Sequence, residues 1–163
     1  MKMNAMKRAR GTTTCILFVI AALAAGPVRS DCCCECQPGT ATPGYWKNHP
    51  EAWPVEEITI GGITYSKEAA IEAIKAPVKG DKTLTLFPAL VAAKLNVLIG
   101  NCDCCIADTI LDADAWMVMY PLGSGVAGSS DAWKCGEPLY WELDAYNNGF
   151  LCAPSRDVVE SDD

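Results

Sequence analysis

Histidine is nearly absent from this chain: His49 is the only one among 163 residues. A lone imidazole cannot supply the paired histidines of a mixed cysteine–histidine zinc site, and acid–base work near neutral pH would rest on that one ring. Positive charge is also scarce, with 13 Lys and Arg against 20 Asp and Glu. That balance argues against nucleic acid and anionic membranes as partners and favours cations or basic partners. No apolar run reaches the roughly 20 residues that cross a bilayer. The two longest are Cys15 to Ala25 and Leu84 to Ile99, and the second carries Lys94. No internal repeat is visible, and no serine sits in a nucleophile elbow. Gly123, Gly125 and Gly128 neither follow a strand nor open an evident helix, so they do not make a phosphate loop.

Cysteine, in contrast, is abundant. Residues 1–30 read as a secretory leader: Lys2, Lys7, Arg8 and Arg10 precede the apolar run, and small residues follow it. Cleavage is expected before Asp31, with a site before Ala25 as the alternative. Loss of 1–30 removes five cations and no anion, leaving eight against 20 and a net charge of −12. Nine cysteines remain: Cys32, Cys33, Cys34, Cys36, Cys102, Cys104, Cys105, Cys135 and Cys152. In an exported protein these are expected as disulfides. A bridge from Cys152 to Cys104 or Cys105 would hold the C-terminal segment, and Cys36 would fasten to Cys102 or Cys135. The triplet Cys32, Cys33 and Cys34 is then the source of a free thiol or an interchain bridge. The alternative for Cys32, Cys33, Cys34 and Cys36 is thiolate metal binding.

The stretch from Thr42 to Pro54, TPGYWKNHPEAWP, gathers three prolines, two tryptophans, a tyrosine and the histidine. It predicts an irregular segment pinned by its aromatics. Tyr45, Trp46, Lys47, Asn48, His49 and Trp53 form the candidate ligand surface, for a sugar or a peptide. Alternatively the tryptophans cover one end of a buried helix, and His49 bonds a loop carbonyl. A hydrolase using His49 is a further alternative, which would need a partner and a nucleophile.

Next comes a hairpin over 58–65, with Gly61-Gly62 as its turn, Ile60 opposite Ile63 and Ile58 opposite Tyr65. Ser66 predicts an N-cap for a helix from Lys67 to Ala76. The run 84–99 is apolar nearly all round, which predicts a buried central helix with Pro88 in its first turn. A third helix is expected from Ile106 to Tyr120, with Asp108, Asp112 and Asp114 on a solvated face. A Gly/Ser loop from Leu122 to Lys134 follows. A fourth helix is expected from Glu137 to Asn147, with Pro138 at its first position.

The TPGYWKNHPEAWP start, the ITIGGITYS hairpin, LVAAKLNVLIG, DAW and YNNG together resemble a recurrent module of bacterial secreted and cell-surface proteins. That module begins T-x-G-(Y/F)-W-K-N-H-P, and the likeness runs from Pro43 to Cys152. It implies an exported module of the kind joined to other surface domains, and it brings no reaction, ligand or partner with it. With no second domain and no sorting or anchoring tail seen, this copy is expected to stand alone. The two cysteine clusters are additions to the pattern and put cross-linking or metal binding in play.

The expected architecture is α+β, mainly α: about four helices around 84–99 with one small hairpin. The expected domains are a leader over 1–30, a Cys-rich segment over 31–41, one globular unit over 42–152 and a disordered acidic tail over 153–163. The expected function is a secreted, disulfide-stabilised, non-enzymatic binding or structural module without a cofactor. Its expected partners are a cell-surface protein or a polysaccharide.

Overall fold

A computed structural model describes residues 38–159 and Ser161. The expected leader, both expected cleavage sites and Cys32 to Cys36 lie outside the described residues. The chain is α+β and mainly α, with six helices and a two-stranded antiparallel hairpin among the described residues. Among the described residues no helix is long and apolar enough to cross a membrane.

The TPGYWKNHPEAWP stretch is not irregular, contrary to the expectation. Pro43–Asn48 is a helix, α1, and Pro50–Ala52 is a 3₁₀ turn. Thr42 caps α1 by accepting from the Tyr45 N–H at 3.3 Å. Pro43 and Pro50 stand at the starts of their turns, where a missing N–H breaks no bond. The prolines therefore punctuate two short helical pieces instead of preventing them.

The hairpin has the expected register, β1 (Glu57–Ile60) against β2 (Ile63–Ser66), with Ile58 opposite Tyr65 and Ile60 opposite Ile63. Gly61 and Gly62 both have positive φ, as a two-residue turn requires. Gly61 is also pressed on Met117, whose backbone would lie 2.7 Å from any Cβ there. Ser66 caps α2 (Lys67–Lys75) by accepting from Ala69 N–H.

Helix α3 (Thr83–Leu98) is the centre of the molecule, and Leu86, Phe87, Leu90, Val91 and Leu95 are fully enclosed. It begins earlier than expected, so Pro88 lies inside it and not in its first turn. Pro88 costs the helix one bond, to the Leu84 carbonyl. Burial on nearly every face outweighs that loss. Helix α5 (Asp131–Asn147) departs in the same way: Ser130 caps it, accepting from Trp133 N–H at 3.2 Å, and Pro138 is internal. The expected loop therefore ends at Ser130, and Trp133 is a buried helix residue.

Helices α3 and α5 run parallel. Their C-terminal ends meet through Asn96 and Asn147, and Lys82 before α3 lies 5.0 Å from the Trp133 ring near the start of α5. Helix α4 (Ala107–Met119) runs the other way, since Trp116 near its end donates to Ala132 O at 3.0 Å. Gly136 permits that approach, because a Cβ there would fall 2.8 Å from the Trp116 ring. Asp108 and Asp112 are exposed as expected, but Asp114 is half-buried. It accepts from Gly61 N–H at 2.9 Å and pairs with Lys94, tying α4 to the hairpin and to α3.

The globular unit extends beyond 42–152. Thr40 N–H donates to Pro154 O at 2.8 Å, and Arg156 N–H donates to Thr40 O at 2.9 Å. Ala153 is 1% exposed, and Arg156–Val159 forms α6. The expected disordered tail is thus ordered through α6, because its backbone pairs with the segment before α1.

Candidate functional site

The six aromatic-stretch residues divide into posts and surface. Trp46 is 1% exposed, and its Nε1–H donates to Asn96 Oδ1 at 3.3 Å. Trp53 is buried too, its Nε1–H donating to Trp46 O at 2.8 Å. Neither indole presents a face to solvent, so neither serves as a ligand platform. Tyr45, Lys47, Asn48 and His49 are carried at or near the surface by the same short helix.

Tyr45 is also occupied. The His49 ring stacks on it with centroids 4.4 Å apart, and the Arg156 guanidinium sits 4.8 Å from its centroid. A sugar needs a bare aromatic face, and Tyr45 has its ring covered by its own chain. His49 Nδ1 lies 2.9 Å from Glu51 Oε1. Glu51's own backbone amide, then the His49 ring, hold that carboxyl below its usual range by hydrogen bonding. The pair is open to water, with side chains 48% and 71% exposed, so the field that would activate a base there is screened. Beside it lies a polar cleft of about 150 Å³ lined by Thr42, Tyr45, Asn148, Ser155 and Arg156. Sequence reasoning misses Arg156, which falls in the stretch expected to be a disordered tail.

Beneath this surface is a buried polar hub. Asn96 Oδ1 accepts from Ala41 N–H at 2.9 Å and from Trp46. Its Nδ2 donates to Ala41 O and to Asn147 Oδ1, both at 2.9 Å. Asn147 Nδ2 continues to Ala89 O. Tyr146 donates to Cys102 O at 2.9 Å, and burial first, then the charge of Asp103, push its phenol up.

Cys105 and Cys152 form a disulfide, the second of the two pairings expected for Cys152. Cys102, Cys104 and Cys135 are disulfide-bonded as well. The sulfurs of Cys102, Cys104 and Cys152 lie within 4.8 Å of one another. A sulfur held in a disulfide offers no thiolate, so this gathering is not a metal centre in the oxidised protein. The alternative metal set Cys32, Cys33, Cys34 and Cys36 lies outside the described residues, as does the expected fastening through Cys36.

At the other end of the bundle, Asp81 takes the place of Asn96. Its carboxylate accepts from Thr83 N–H and Thr83 Oγ1 at 2.9 Å, Gly125 N–H at 3.0 Å and Val126 N–H at 3.1 Å. The glycine-rich loop therefore directs amides at an anion that the chain itself supplies. Burial raises the Asp81 carboxyl, but the donors from Thr83, Gly125 and Val126 together outweigh it and leave it below its ordinary value.

A last surface lies between β1, the second half of α3 and the start of α4. It is a groove of about 580 Å³ with an apolar lining that includes Val55, Val97 and Ile110. In comparison with known proteins, no family model, no curated protein and no solved structure matches the chain.

Proposed function

We propose that the chain is an exported, non-enzymatic binding module locked by disulfides, whose partner is a protein at the cell surface. The observation that carries this reading is the Cys105–Cys152 bridge, which closes across 47 residues from the start of α4 to the segment after α5. Such bridges persist where the surroundings are oxidising. The basic, then apolar, then small-residue order of residues 1–30 supports the same compartment. A protein partner is preferred to a polysaccharide because Trp46 and Trp53 are internal and Tyr45 is covered. The exposed His49–Glu51 pair gives a hydrolase little support.

The test is fractionation of the source cells with N-terminal sequencing of the product. The expected product lies outside the cytoplasm, begins between Ala25 and Cys32, and keeps Cys105 joined to Cys152 in a disulfide map. A cytoplasmic product beginning at Met1 with free thiols at both positions overturns the reading.

A further inference from the structure

The groove beside β1 combines three features. Its rims are apolar and open: Leu98 is 54% exposed and Leu111 is 66% exposed, above the apolar lining of Val55, Val97 and Ile110. Single exposed leucines are ordinary, but two of them flanking one apolar cleft mark a surface made for contact.

One wall of the groove is a strand edge. In a hairpin with a two-residue turn, the residues flanking the turn form a hydrogen-bonded pair, and the pairs alternate from there. With Ile60 opposite Ile63 and Ile58 opposite Tyr65, the backbone groups of Glu57 and Thr59 point away from β2. Both residues line the groove. Lys94 Nζ donates to Thr59 O at 2.8 Å and Asp114 accepts from Gly61 N–H, which closes the edge from the Thr59 carbonyl onward and leaves the Thr59 N–H and both backbone groups of Glu57 facing the groove. The open edge is therefore short and lies next to the apolar lining.

The third feature is charge. Glu57 lines the groove, and its lining cation, Lys94, is engaged by Asp114. The whole chain carries a net charge of −7. A second copy docked edge to edge would bring Glu57 against Glu57 and add to that repulsion.

We propose that this groove binds an extended segment of a partner protein as a third strand beside β1. The segment sets alternate apolar side chains between Leu98 and Leu111 and carries Lys or Arg at its ends. This rests on the reading of the chain as a binding module, and it adds where the partner sits and what chemistry it has. Strand addition supplies main-chain hydrogen bonds, and the alternating side chains supply selectivity.

The experiment is selection of a phage-displayed library of random ten-residue peptides against the purified disulfide-bonded protein. Enriched peptides are expected to alternate apolar and polar residues between basic ends. The best one, synthesised, should bind at least tenfold more weakly to the double variant Leu98→Glu, Leu111→Glu, whose melting temperature should match the parent. Replacing its basic ends with Glu should also weaken binding at least tenfold, and Trp141→Ala on α5 should leave it unchanged. Binders that ignore the double substitution, or that are acidic, overturn the groove proposal and leave the binding-module reading standing. No binder at all overturns both. A homodimer that the double substitution dissociates assigns the groove to self-association and overturns the proposal as well.

Discussion

The two ends of the helical bundle are closed by the same device with different chemistry. At one end the neutral amide of Asn96 satisfies both backbone groups of Ala41, the Trp46 indole and Asn147. At the other end the charged carboxylate of Asp81 gathers three amides and a hydroxyl from α3 and the glycine-rich loop. In each case one polar side chain binds backbone from a segment remote in sequence. The amide end is deeply buried and lies alongside a disulfide, whereas Asp81 is half-buried. Burying a neutral amide with all its partners costs far less than burying an ion, which is why the charge sits at the wetter end. The Asn96 network should therefore hold at any moderate pH, whereas acid should weaken the hydrogen bonds that Asp81 accepts.

Trp46→Ala should break the amide end most severely. It opens a cavity and takes away one of the two donors to Asn96 Oδ1, at a cost of about 3–5 kcal/mol. The urea midpoint should fall by a similar amount at pH 7 and at pH 3.5, because no group in that network titrates between them. An unchanged midpoint would show that Trp46 is not a post.

Removing the bridge tests the same end covalently. The double variant Cys105→Ser, Cys152→Ser should lose about 2–4 kcal/mol, since a closure across 47 residues strongly restricts the unfolded chain. Hydrogen exchange should quicken around Thr40, Ala153 and α6, which the bridge holds near the domain, and stay slow in the middle of α3. Uniform quickening would mean that the two ends unfold as one unit.

The smallest effect belongs to the carboxylate end and is the one that depends on pH. Asp81→Asn should cost about 1–2 kcal/mol at pH 7, from weaker hydrogen bonds to a neutral acceptor. Because the folded carboxyl is held below its ordinary value of 3.8, its contribution is fully present above that value. It is lost as the pH falls through the lowered folded value. Urea midpoints of variant and parent should therefore converge in acid, and a gap that persists unchanged at pH 2 would sharpen the contrast away.

Local pattern makes several elements legible in the sequence. Gly61-Gly62 between two Ile-Thr runs specifies the hairpin and its register. Ser66 ahead of an amphipathic run specifies the start of α2. The nearly unbroken apolar run specifies the central helix, although not its first turn. The departures share a cause. Pro88 and Pro138 look like first-turn residues because proline favours that position, but packing around them extends each helix upstream. Asp114 resembles Asp108 and Asp112 on the helix face, and only the hairpin folded against it makes it a ligand for Gly61 and Lys94.

The candidate site is less legible than the fold. Tyr45 and His49 do come together at the surface, whereas Trp46 and Trp53 of the same stretch are internal. Whether an aromatic is a platform or a post depends on what covers it, and the covers are far away in sequence. Asn96 lies 50 residues from Trp46, and Arg156 comes from beyond α5.

By itself, the sequence determined the hairpin, the cap of α2, the buried identity of α3 and the choice of Cys104 or Cys105 for Cys152. Each of these follows from neighbours within one or two turns, or from the reach of a cysteine beside a helix end. Tertiary structure alone decided that Trp46 is internal, that Tyr45 is covered, and that the segment after Cys152 pairs with Thr40 across 114 residues. It also decided that an apolar groove stays open beside β1. The reason is physical: burial and hydrogen-bond satisfaction are properties of groups brought together by folding, and the local chain encodes only one side of each pair.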